Sequence, residues 1–107
     1  MTHVEYMVEG AAHRLTVDGH AGSAPKGEDL VCCAVSALAQ TLAQRVLDLY
    51  SAGFVLGFPV TEIHDGGVRV EATGAGDGAA ILHAFETIVT GMQMLADQWP
   101  QYVQVNI

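Results

Sequence analysis

Gly19-His20-Ala21-Gly22-Ser23-Ala24-Pro25-Lys26-Gly27-Glu28-Asp29-Leu30-Val31-Cys32-Cys33 is the stretch on which the organisation of this chain turns. Its first half is small and glycine-containing, with no apolar side chain large enough to anchor it in a core. Its second half opens an apolar run at helical spacing. The stretch therefore joins a strand that closes at His20 to a long helix expected from about Asp29 to Ser51. That helix carries one apolar seam of Val31, Val35, Leu38, Leu42, Val46 and Leu49. A second seam, Cys32, Ser36, Ala39, Ala43, Leu47 and Tyr50, begins polar and ends apolar, which sets Cys32 and Ser36 beside the core face rather than inside it.

Working outward, residues 2–9 alternate roughly as a strand, Gly10-Ala11-Ala12 turns, and His13 to Asp18 returns with Leu15 and Val17 on one face. Downstream, Phe54 to Ile63 reads as a third strand, irregular or at a sheet edge because of Gly57 and Pro59. Asp65-Gly66-Gly67 turns into a fourth strand over Val68 to Ala72. Gly74-Ala75-Gly76 leads into a second helix with Asp77 as expected N-cap. Its seam is Ile81, Phe85, Ile88, Met92 and Leu95, broadened by Leu82, Val89 and Trp99, and Pro100 closes it. Tyr102, Val103, Val105 and Ile107 form a short final strand. The expected fold is α+β: one domain over residues 1–107, in two layers, with a mostly antiparallel sheet of four to five strands and both long helices on one face.

Half of the 107 residues are hydrophobic, enough for a single substantial core. The apolar excess, with broad seams on both helices, points to a homodimer formed through helical surface. Net charge is -8, and the fixed positive groups are only Arg14, Lys26, Arg45 and Arg69. Direct nucleic-acid binding needs clustered cations and is not expected; an acidic surface instead attracts basic polypeptides. No apolar run approaches a membrane span, and the N-terminus lacks the regions of a signal peptide, so no membrane partner and a cytoplasmic location are expected. Cys32 and Cys33, the only cysteines, are adjacent, which argues against a structural disulfide. His3, His13, His64 and His83 are scattered without metal-ligand spacing, and the Gly74–Gly78 run lacks the Gly-Lys-Ser/Thr of a phosphate loop. Neither a metal nor another cofactor is expected.

Chemistry concentrates at His20 and Cys32. A cysteine in the first turn of a helix would sit near unpaired backbone N–H groups and the positive end of the dipole, both of which favour thiolate. The loop from Ala21 to Glu28 can fold back and bring the His20 imidazole to that thiol as proton acceptor and donor. Asp29, one turn before Cys32, either orients His20, binds a basic substrate group, or merely complements the helix start. Ser36, one turn after, either supports an oxyanion or bonds its own helix backbone. Cys33 points about a quarter turn away from Cys32.

The run GHA…GEDLVCCAVSAL resembles the bacterial ribosomal-processing cysteine proteases, the Prp family. Gly19, His20, Asp29, Cys32 and Ser36 fall on that family's Gly-His pair, Asp-aliphatic-Val-Cys step and following Ser, and the resemblance in element order spans the whole chain. Cys33 stands where the family usually has a small residue. The resemblance implies a cysteine endopeptidase with Cys32 as nucleophile and His20 as base. It also implies a substrate: the N-terminal extension of large-subunit ribosomal protein twenty-seven, cut after an aromatic residue. Two other classes fit the residues themselves: a non-catalytic dimeric ribosome-assembly or binding module, and a thiol redox sensor using Cys32 and Cys33.

Overall fold

Strands β1 (Thr2–Glu9) and β2 (Ala12–Asp18) pair antiparallel, with Val4 opposite Val17 and Tyr6 opposite Leu15. The remaining elements are α1 (Lys26–Ser51), β3 (Val55–His64), β4 (Gly67–Gly74), α2 (Ala79–Gln98) and β5 (Val103–Asn106). The structure is a computed structural model; it describes residues 1–19, 26–64 and 66–107, with the side chains of all of these except 26–29. The strands form one sheet in the order β3-β4-β2-β1-β5. All pairings are antiparallel except β1 with β5, which is parallel. The alternation seen in sequence sorts the two faces. Val4, Tyr6, Leu15, Val17, Val70 and Ala72 are buried beneath the helices, while Glu5, Met7 and Arg69 are exposed between them. β3 is an edge strand, and its register with β4 shifts between Leu56 and Val60, where Gly57 and Pro59 interrupt regular pairing.

The helices bury most of the expected seams, but Leu82 and Trp99, expected to broaden that of α2, are exposed, and Leu95 packs only at the core margin. In α1, Val31, Val35, Leu42, Val46 and Leu49 join the core with Leu38 packed at its margin; in α2, Ile81, Phe85, Ile88, Val89 and Met92 are buried. A side chain such as Phe85 contributes about 1.5–3 kcal/mol by leaving water. Leu30–Ser51 and Ala79–Gln98 are long and apolar enough on average to cross a membrane, contrary to the expectation that no run approaches that length. The average conceals amphipathicity: exposed Thr41, Gln44, Arg45 and Asp48 alternate with the buried seam of α1 at helical spacing. The start of α2 also differs from expectation. Gly78, with φ of 76°, is the N-cap, and Asp77 one residue earlier accepts the Ala79 N–H at 3.0 Å. The glycines serve a close approach here, since a Cβ on Gly74 would lie 2.8 Å from the Gly78 Cα.

A polar pair interrupts the core. The Tyr6 hydroxyl and His13 Nδ1 lie 2.7 Å apart, and both rings pack on Phe85, at centroid distances of 5.9 and 5.3 Å. Burial lowers the His13 pKa below 6.5, with the Glu86 carboxylate opposing the shift, and raises that of Tyr6 above 10.0 with help from Glu86. His13 therefore contributes stability that is present above pH 6.5 and lost as pH falls through its lowered folded value. Tyr6 contributes stability that is present below pH 10.0 and lost as pH rises through its raised folded value. We expect thermal unfolding, followed by circular dichroism, to move to lower temperature as pH falls below 6.5. His13→Gln, which keeps a hydrogen-bonding group but cannot charge, should flatten the upper part of that acid limb; an unchanged slope would contradict the assignment.

Candidate active site

Helix α1 begins at Lys26, three residues before the expected start near Asp29. The backbones of residues 28 and 29 thereby fall in its first turn. At about 1.5 Å per residue the 26-residue helix runs about 39 Å, close to the 44 Å length of the whole molecule. The shift corrects one part of the expected chemistry. Cys32 lies in the second turn, so its backbone N–H has a carbonyl four residues back within the helix and is not among the unpaired groups of the helix start. Helix-terminal effects fade within one turn, so Cys32 lies beyond their main reach.

A neighbour for the Cys32 sulfur comes from β1. Thr2, only 2% exposed, lies on the helix-facing side of the sheet with its hydroxyl 3.6 Å from the Cys32 sulfur, in hydrogen-bond contact. Thr2 is itself fixed through its backbone: its N–H donates to the Tyr102 carbonyl at 2.8 Å, and it pairs with Val103 of β5. Gly19 sits across the same strand end. Its N–H donates to the Gly66 carbonyl at 3.1 Å, its φ is 86°, and a Cβ there would lie 2.5 Å from the Met1 carbonyl oxygen. Only glycine suits both the left-handed backbone and the space. The residue preceding His20 and the strand end that touches Cys32 are thus brought together through Met1 and Thr2.

Cys32 is half-buried, Cys33 is exposed, and both are free thiols. Ser36 is exposed one turn beyond Cys32. Thr41, Thr87 and Thr90 each bond the carbonyl four residues back, whereas the Ser36 hydroxyl makes no such bond among the described residues. His20 and the adjoining loop through Pro25 lie outside the described residues, as does the Asp29 side chain, although the Asp29 backbone is in α1. Thr2 escapes detection from sequence because thirty positions separate it from Cys32 and it reads there as an ordinary strand residue. Among the described residues no three His, Cys, Asp or Glu side chains converge in a way that could hold a metal ion.

A cleft of about 590 Å³ occupies the other end of the sheet, around Met7, Arg14, Leu56, Phe58 and Glu71. Met7, Arg14 and Glu71 are cross-strand neighbours on the face turned away from the helices, linked by an Arg14–Met7 Sδ contact at 2.7 Å and an Arg14–Glu71 ion pair at 3.7 Å. It is separate from the Thr2–Cys32 contact.

A two-layer α+β domain whose half-buried Cys32 thiol meets Thr2 at the strand end shared with Gly19 defines a small protein built around a thiol. The family described as cysteine protease Prp matches residues 1–104, and the chain belongs to that family of cysteine proteases. The fold is shared with the crystal structure of SMU.848 from Streptococcus mutans, at 25% identity and a TM-score of 0.70, covering 100% of this chain and 93% of that one. It is also shared with the essential ribosomal processing protease Prp from S. aureus. In complex with a substrate peptide that protein matches at 19% identity and a TM-score of 0.73; with a covalently linked product peptide, at 20% and 0.72. Both cover 99% of this chain and 98% of the other. Comparison with curated proteins gives no match.

Proposed function

We propose that this cysteine protease removes the N-terminal extension of large-subunit ribosomal protein twenty-seven, cutting after an aromatic residue. The observation that carries the assignment of roles is the convergence of Gly19 and Cys32 on one strand end through Met1 and Thr2. Family membership and the ribosomal processing role of the S. aureus protein support the substrate. The net charge of -8 suits a basic ribosomal protein.

In this reading His20 takes the Cys32 thiol proton, and the sulfur lone pair forms a bond to the scissile carbonyl carbon. As the tetrahedral intermediate collapses, the C–N bond breaks and His20 returns the proton to the leaving amine. Water then hydrolyses the thioester and frees the sulfur. Gly19 positions His20 by holding the turn, Asp29 orients His20 or meets a basic substrate group, and exposed Ser36 faces the substrate carbonyl. No cofactor takes part.

The enzyme acts in the cytoplasm as a homodimer joined through its helical layer. Ala34, Ala37, Leu38, Gly91 and Met94 surround an apolar groove of about 370 Å³ between the helices, with Met94 64% exposed. Sedimentation equilibrium should give a dimer mass at micromolar concentration; monomer alone would contradict the assembly. The substrate assignment is tested by incubating the host's ribosomal protein with the enzyme and reading its N-terminus by mass spectrometry. Loss of an N-terminal extension ending in an aromatic residue is expected, and an uncut protein would overturn it.

A further inference from the structure

We propose that Thr2 is a positioning residue for the Cys32 thiolate, its buried hydroxyl donating a hydrogen bond to the sulfur once the thiol has lost its proton. This inference rests on Cys32 as the nucleophile and adds a component of that site which the catalytic pair does not contain. Thr2 occupies the helix-facing side of β1 with Val4 and Tyr6, a side otherwise filled by apolar and aromatic groups. A hydroxyl that is 2% exposed needs a partner, and among the described residues its partner is Cys32 Sγ at 3.6 Å. Its backbone cannot drift, because β1 lies inside the sheet between β2 and β5 and the Thr2 N–H is bonded to Tyr102.

The direction of this bond depends on the state of the sulfur. With a neutral thiol, either group can donate. A thiolate has no proton to give, so Thr2 must then be the donor, and a bond to a charged acceptor is the stronger one. Thr2 keeps its own proton throughout, while the thiol proton goes to His20. The hydroxyl thus favours thiolate over thiol and fixes the sulfur on the sheet side of α1. When sulfur bonds to the carbonyl carbon its negative charge disappears, and the hydrogen bond weakens again. A group that stabilises the thiolate in this way raises its abundance near neutral pH while slightly reducing its intrinsic nucleophilicity.

The test uses the full chain carrying Cys33→Ala, so that Cys32 is the remaining thiol. Iodoacetamide alkylation rates are measured across pH for Thr2, Thr2→Val and Thr2→Ser. Thr2→Val keeps the shape and suits an apolar site, so folding, checked by circular dichroism, should be preserved. Its rate near pH 6.5 should fall by roughly threefold or more, while near pH 10 it should equal or exceed the Thr2 rate. Thr2→Ser, which retains the hydroxyl, should follow the Thr2 profile. Equal rates for Thr2→Val and Thr2 at both pH values, or slowing by the same factor at both, would overturn the proposal. So would a Thr2→Ser profile that matches Thr2→Val. Because alkylation reads the thiol directly, a failure of the peptidase assignment leaves this result interpretable.

Discussion

Cys32→Ala is expected to abolish cleavage of the extended ribosomal protein, lowering turnover by roughly four orders of magnitude or more, because it removes the sulfur that forms the thioester. The fold should persist: the lost sulfur is only half-buried, and alanine is a strong helix former in the second turn of α1. Cys33→Ala should leave turnover close to that of the unmodified protein, since this exposed neighbour turns away from the Thr2 contact. Chromatographic analysis of the cleaved peptide, with circular dichroism on each variant, separates chemistry from unfolding. Retained cleavage by folded Cys32→Ala, together with its loss in Cys33→Ala, would transfer the nucleophile to the second thiol. Retained cleavage in both would end the cysteine assignment.

The second large effect is expected at His20. His20→Ala should lose about 10²–10⁴-fold in turnover, the usual contribution of a positioned general base. The same variant should alkylate more slowly at Cys32 near neutral pH, because removal of an adjacent imidazolium withdraws support for thiolate. Cys33 supplies an internal control in the same molecule. It is exposed whereas Cys32 is half-buried, so access alone would make Cys33 the faster thiol. Labelling of Cys32 first, read by peptide mass spectrometry under limiting reagent, therefore reports activation rather than exposure. His20→Ala should remove much of that preference while leaving Cys33 labelling unchanged. A folded variant with normal cleavage and normal labelling order would exclude His20 as the base.

The two proposed supports of Cys32 differ in what they do. His20 exchanges a proton with the sulfur and then with the leaving amine, so its loss affects turnover at every pH where the base is needed. Thr2 only donates, so its influence belongs to the pH range in which thiolate is scarce. The helix start itself is set farther from Cys32 than expected, because α1 begins at Lys26.

What sequence alone determined is what local periodicity encodes. Alternation assigned Leu15 and Val17 to the covered face of the sheet, and helical spacing assigned Val35, Leu42 and Phe85 to the core. The pair Gly57 and Pro59 marked β3 as an irregular edge, because neither residue supports continuous ladder pairing. The polar opening of the second α1 seam placed half-buried Cys32 and exposed Ser36 at the core margin. Periodicity states which face a residue shares but not which distant segment will lie against that face. The parallel docking of β5 on β1, the collision that reserves position 19 for glycine, and the approach of Thr2 to Cys32 all join segments far apart in the chain. Each depends on strand order, which no short window of sequence contains, and so the tertiary structure alone decided the company Cys32 keeps.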